Sequence, residues 1–252
     1  MHFLSETSLN GVIEREFTLG DITGVLWSPA SGSSGAPLIL SGHTGGIHKK
    51  APGLVANAHH LVTTRGFTVA AIDAPGHGDR PRDAADDAAR AAFVRARETG
   101  EPMAPIIADY NTSLAERAVP EWQATIDALQ ALPDIGTEAP IGYGGMTLGV
   151  AIGLMLTAVE PRITAAAFGP VFAYEALIEA AKQITIPVEF TIAWDDTEIG
   201  RQPGLTLFDA CASLDKSLHV YPGRHNQMRG FDIDAGARFF TRHLGQAVTL
   251  SA

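Results

Sequence analysis

The sequence predicts an α/β chain, with a mostly parallel central sheet covered by helices on both faces and an antiparallel hairpin at the N-terminal end. Three observations predict it. Short apolar runs without alternation recur along the chain, as strands buried on both faces require. Longer segments with apolar residues three and four apart separate those runs, which is the helical period. The 252 residues, 46% hydrophobic and 18% charged, suffice for one large core and are too apolar for a disordered chain. We expect one domain over residues 1–252.

The hairpin comes first. Val12 to Leu19 and Ile22 to Trp27 alternate or carry β-branched residues, and Gly20-Asp21 separates them. Ser28 to Pro37, rich in Ser, Gly and Pro, reads as a surface loop. The candidate buried strands follow: Leu38-Ile39-Leu40, Val69 to Ile72, Ile141-Gly142-Tyr143, Ala165 to Phe168, Val188 to Ala193 and Leu218 to Tyr221. Helical periodicity covers Gly53 to Thr63, Glu121 to Leu132, Thr147 to Thr157, Tyr174 to Gln183, Gly204 to Ser213 and Asp232 to Leu244. One crossover is too long: nearly seventy residues separate Ile72 from the apolar run at Ile141, far more than a connection needs. They hold a helical pattern over Arg82 to Arg97, a break at Glu98 to Pro102 and a second helical stretch from Ile106. The segment from Asp79 to about Val119 is therefore expected as a helical insertion. Its Phe93, Met103, Ile106, Ile107 and Tyr110 either line a mouth or, in the plainer reading, pack the helices onto the body.

Charge and composition exclude several classes of function. Eighteen Lys and Arg against 28 Asp and Glu give a net charge of −10, which disfavours nucleic acid and anionic membranes as partners. A small-molecule substrate remains; oligomeric state is not legible. The first residues lack the basic and apolar regions of a secretory signal, and no apolar run would span a bilayer. The only cysteine, Cys211, lies in the apolar run from Leu207 and reads as a small buried hydrophobe. A cytoplasmic location fits. No metal or organic cofactor is implied, since neither a phosphate-binding glycine loop nor a ligand cluster is present. His59-His60 is not a metal pair, because adjacent helical positions point about 100° apart. Lys49-Lys50 reads as the solvated start of a helix, and Asp83 to Arg97 as a solvated charged face.

The chemistry centres on Gly145-Met146-Thr147-Leu148-Gly149, which has the form of a strand-to-helix nucleophile elbow, Gly-x-Ser-x-Gly, with threonine in place of serine. Alone the pattern is weak, since Thr is also a common helix N-cap. Its context strengthens it. Acyl transfer by a hydroxyl needs a base, an acid that orients the base, and donors for the oxyanion. Asp195 and Asp196 follow one apolar run and His225 follows the last, in the chain order nucleophile, acid, histidine. A loop after a parallel strand falls on the same sheet edge as the elbow.

Together with Ser41-Gly42-His43-Thr44-Gly45-Gly46 and Asp73-Ala74-Pro75-Gly76-His77-Gly78, these motifs resemble the α/β-hydrolase superfamily, in its dienelactone-hydrolase and esterase-like branch, from about Pro37 onward. The resemblance implies Thr147 as nucleophile and His225 as base. It implies Asp196 as acid, four residues before the turn position held by Gly200, with Asp195 in reserve. It also implies an oxyanion hole from the backbone amides of Thr44 and Leu148, with His43 and His77 structural.

Threonine departs from the pattern. An elbow residue at positive φ is strained, more so when β-branched, and the extra methyl crowds the approach to a carbonyl carbon. The expectation is a hydrolase of a small ester, lactone or thioester with a Thr-His-Asp triad. The alternatives are a weakened small-molecule binding protein on the same fold and a non-covalent, lyase-type enzyme.

Overall fold

The computed structural model describes residues 1–245. An antiparallel meander of β1 (His2–Leu9), β2 (Val12–Leu19) and β3 (Ile22–Pro29) forms one side of the sheet. Strand β1 was not expected, because its Ser5-Glu6-Thr7-Ser8 stretch lacks apolar alternation and lies exposed at the edge. A polar edge strand of this kind resists pairing with other chains. At its turn Asn10 and Gly11 both take positive φ, 51° and 80°, as a tight Asn-Gly hairpin demands.

The remaining strands are the six apolar runs: β4 (Leu38–Gly42), β5 (Thr68–Ile72), β6 (Ile141–Gly145), β7 (Ile163–Phe168), β8 (Val188–Ala193) and β9 (Lys216–Tyr221). They pair in parallel, and β3 joins them antiparallel to β5. The order across the sheet is β1-β2-β3-β5-β4-β6-β7-β8-β9. Chain order therefore reverses at β4, with β5 on one side and β6 on the other. The crevice beyond the carboxyl ends of such strands is where α/β sheets place their ligands.

The helices are α1 (Pro52–Arg65), α2 (Ala84–Thr99), α3 (Ala104–Gln130), α4 (Leu148–Val159), α5 (Glu175–Ala181), α6 (Arg201–Ala210) and α7 (Gly230–Leu244). Helices α1 and α7 cover one face through Ala58, Leu61, Val62, Ala237 and Phe240. Helices α3 to α6 cover the other through residues such as Leu114, Ile126, Leu154, Leu177 and Leu207. Cys211 is buried against this second core, and burial pushes its thiol up to about 11. No helix among the described residues is long and apolar enough to cross a membrane.

The segment expected as an insertion is helical, with a division that differs from the expected one. Helix α2 starts on a capping box between Asp83 and Asp86 and ends at Gly100, φ 74°. Helix α3 then runs 27 residues without a break, through Pro120, so the stretch from Ile106 and the separate helix from Glu121 are one element. A single proline removes one helical hydrogen bond, and the apolar stripe from Leu114 to Leu129 anchors both sides of it.

Each of two segments expected to be solvated contains one buried charge held by an ionic tie. Lys49 is 3% exposed. Its Nζ lies 2.7 Å from Asp73 Oδ2 and 2.6 Å from Asp79 Oδ2, while its amide donates to Asp73 Oδ1 at 2.8 Å. Asp73, fully buried, also accepts from Thr23 Oγ1. Burial opposes its charge, but these bonds hold the carboxyl below the usual range. Lys50 bridges Glu14 and Glu16 of β2. On α2, Asp86 is fully buried, accepting from Arg117 at 2.7 Å and Tyr110 Oη at 3.1 Å. Sequence spacing missed both ties because their partners lie on other elements.

Removing one member of a buried pair strands the other, at a cost of about 3 kcal/mol or more. Lys49→Met is expected to lower stability by about that much, and Lys49→Met with Asp73→Asn to recover part of it, as read by urea unfolding.

Candidate active site

The elbow is built by close backbone contact. A methyl group on Gly149 would lie 2.4 Å from Gly42 O, one on Gly145 would lie 2.8 Å from Gly149 C, and one on Gly42 would lie 2.8 Å from Gly149 Cα. Strands β4 and β6 and the start of α4 thus come into backbone contact at three glycines. Tyr143, fully buried, donates its hydroxyl to Gly149 O at 2.6 Å and clamps the first turn of the helix. Thr147 at the apex has φ 50° and ψ −107°. Its amide donates to Pro170 O at 2.9 Å, and the Gly169 amide donates to Gly145 O at 3.0 Å, so the loop after β7 holds the bend. The Thr147 Oγ1 atom is buried and makes no hydrogen bond.

The acid loop after β8 meets the loop after β9. Asp196 Oδ2 lies 2.5 Å from His225 Nδ1 and accepts the His225 amide at 3.3 Å, while Oδ1 accepts the Glu198 amide at 2.9 Å. Burial opposes its charge, but the Glu198 amide and His225 hold its carboxyl below the usual carboxylate range. Asp195 does something else: its carboxylate accepts the Gly223 amide at 3.0 Å and its own amide donates to Gly223 O at 3.2 Å. It braces the two loops, and Asp196 is the one paired with the imidazole.

The glycine-rich loop after β4 lies against the elbow, where a methyl group on Gly45 would sit 3.6 Å from Leu148 Cβ. Neither the Thr44 nor the Leu148 amide donates to a backbone acceptor among the described residues, which leaves both N–H groups available. His43 beneath this loop accepts the Ala74 amide on Nε2 at 3.0 Å, so Nδ1 carries the proton and donates to Thr44 O at 2.8 Å. Burial pushes its pKa down to about 4. His43 is therefore a neutral tie between the loops after β4 and β5.

Thr147 opens into a cavity of about 550 Å³ between the elbow and the insertion. Phe93, Met103, Ile107 and Tyr110 line it, as does His77; the insertion thus supplies walls as well as packing. Ile106 is not part of this lining. His77 Nδ1 is bonded to Pro75 O at 2.9 Å. Arg82, Arg90, Arg97 and Glu98 from the insertion also line the cavity, Arg90 and Arg97 from the face expected to be solvated. His225 borders a neighbouring cavity on the α1 and α7 side, so Thr147 and His225 face different spaces and their side chains do not hydrogen-bond. Among the described residues, no group of three or more His, Cys, Asp or Glu side chains is placed to hold a metal ion.

A cold-adapted esterase from an Arctic intertidal metagenomic library is similar over 97% of this chain and 100% of its own, with 31% identity and a TM-score of 0.77. The chain belongs to the α/β-hydrolase superfamily, in its esterase-like branch. More distant α/β hydrolases share the fold. A Pyrococcus furiosus esterase is 13% identical with a TM-score of 0.69, covering 93% of each chain. A dienelactone hydrolase from Anabaena variabilis is 17% identical with a TM-score of 0.65, over 95% of this chain and 98% of its own. No family model and no curated protein matches the sequence.

The geometry of this hydrolase fold generates two expectations. Thr147 is strained and its hydroxyl unbonded, so Thr147→Gly is expected to raise stability by about 1 kcal/mol and the Tm by roughly 2–4 °C, as read by calorimetry. His43 has a folded pKa of about 4 against an ordinary 6.5. Below pH 6.5 the unfolded chain takes a proton that the folded chain refuses. Its contribution, of order 3 kcal/mol, is thus complete above that pH and lost as pH falls toward 4. His43→Gln is expected to flatten the fall of Tm across that window relative to the parent.

Proposed function

We propose that the protein hydrolyses a small ester, lactone or thioester by acyl transfer to Thr147. The observation that carries the reading is the Asp196–His225 pair beside an elbow whose hydroxyl is free of other bonds. The esterase similarity over nearly the whole chain supports it.

In this mechanism His225 Nε2 takes the Thr147 proton as Oγ1 attacks the carbonyl carbon. Asp196 orients the ring through Nδ1 and favours the imidazolium. The Thr44 and Leu148 amides face the developing oxyanion, where one such donor is worth about 10²–10³ in rate. His225 then returns the proton to the departing alcohol or thiol, leaving an acyl group on Thr147. Water, deprotonated by His225, attacks that ester and releases the acid and the free threonine. Substrate entry draws the Thr147 hydroxyl and His225 together, since hydrogen bonds of catalytic groups often tighten only in the substrate complex. The cavity of about 550 Å³ supports a small substrate.

The test uses short-chain aryl esters. Thr147→Ala and His225→Ala are each expected to lower kcat/KM by about 10³ or more, and Asp196→Asn by a similar order, because these groups act as a unit. Asp195→Asn is expected to leave kcat within a few-fold. Thr147→Ser removes the crowding methyl and is expected to raise kcat about tenfold. Undiminished turnover in the Thr147→Ala or His225→Ala variant overturns the reading. A parent that neither turns over nor yields an acyl-enzyme by mass spectrometry, with activity only in the Ser variant, assigns the fold to ligand binding instead.

A further inference from the structure

The cavity bordered by His225, of about 420 Å³, runs between the sheet and helices α1 and α7. Its walls are largely apolar, with Leu61, Ala167 and Phe240 among them, and no Lys or Arg lines it among the described residues. One acceptor in its wall is unmatched. Glu189 of β8 is 8% exposed, and its Oε1 has no hydrogen-bond partner. Gly236 of α7 faces that atom, and a methyl group there would lie 3.9 Å from Oε1. The other carboxylate of the cavity, Asp232, is already occupied by His219 on Oδ1 and by the amide and Nε of Arg229 on Oδ2.

A buried carboxyl oxygen without a donor costs about 1–3 kcal/mol, and nothing in the acyl-transfer scheme uses Glu189. Burial raises its pKa, only partly offset by the charges of His219 and Arg238 and a bond from Ser217. A ligand that brings its own donor would remove that cost while filling an apolar space.

We propose that this cavity binds a small, mostly apolar molecule carrying one hydrogen-bond donor, an alcohol or a primary ammonium, with the donor on Glu189 Oε1. Its body lies against Leu61, Ala167 and Phe240. Thr44, Met146 and His225 border the same space, so the occupant adjoins the candidate active site, yet its binding does not depend on Thr147 acting as a nucleophile.

Isothermal titration calorimetry of the whole protein with cyclohexanol, cyclohexylamine and methoxycyclohexane tests this without any turnover, so an inactive enzyme leaves the result readable. Either the alcohol or the amine is expected to bind at least tenfold tighter than the ether, which lacks a donor. The preferred one identifies a neutral or a cationic ligand. Glu189→Leu is expected to erase that preference, and Gly236→Leu, which fills the space before Oε1, to abolish binding of all three. No binding to the parent, equal affinity for the three probes, or a preference that survives Glu189→Leu overturns the proposal. If Glu189→Leu does not fold, undiminished binding to Gly236→Leu overturns it as well.

Discussion

Everything at the candidate site depends on the backbone contact among Gly42, Gly145 and Gly149. With no side chain at any of the three, the first turn of α4 lies directly on the ends of β4 and β6. That closeness forces the chain to reverse within one residue, and the residue at the reversal is Thr147, at φ 50°. An alanine at Gly149 would meet the Gly42 carbonyl inside any allowed contact distance, and the bend would open. Tyr143 closes the same contact from within the core, through a hydrogen bond to Gly149 O and an edge-on packing against Trp122.

The bend sets a conflict that its side chain does not relieve. A β-branched residue at positive φ costs free energy, and Thr147 Oγ1 offsets none of it through hydrogen bonding. Strain of this sort persists where the surroundings over-determine it, and here the amide of Thr147 is tied to Pro170 while its neighbours are locked by glycine contact. The hydroxyl is thereby left buried and without a hydrogen bond.

Electrostatics divide the surroundings of the elbow. On the insertion side, Arg82, Arg90 and Arg97 outnumber the one carboxylate, Glu98, around the space that Thr147 faces. On the α1 and α7 side, the acidic groups Glu189 and Asp232 border the space that His225 faces. Within the insertion α2 is tied to α3 by charge, through Asp86 to Arg117, and the loop after β5 is tied to α3 through the paired bonds from Arg80 to Glu121 at 2.5 and 2.7 Å. Such ties hold orientation more than they add stability, and what they orient here is the wall of the cavity above Thr147.

By itself the sequence determined the parallel core, the elbow, and the chain order of acid and histidine. Each is written in local pattern: unbroken apolar runs, helical spacing, and glycines two residues either side of Thr147. Polar β1 and the continuous α3 were not legible, since an exposed edge strand needs no apolar alternation and an isolated proline does not end a helix anchored on both sides. Only the tertiary structure decided between Asp195 and Asp196, because adjacent carboxylates are equivalent until two loops from different strands meet. The same holds for buried Lys49 and Glu189, whose surroundings come from elements distant along the chain. Burial and charge pairing are properties of the assembled sheet and its helices, and no local spacing encodes them.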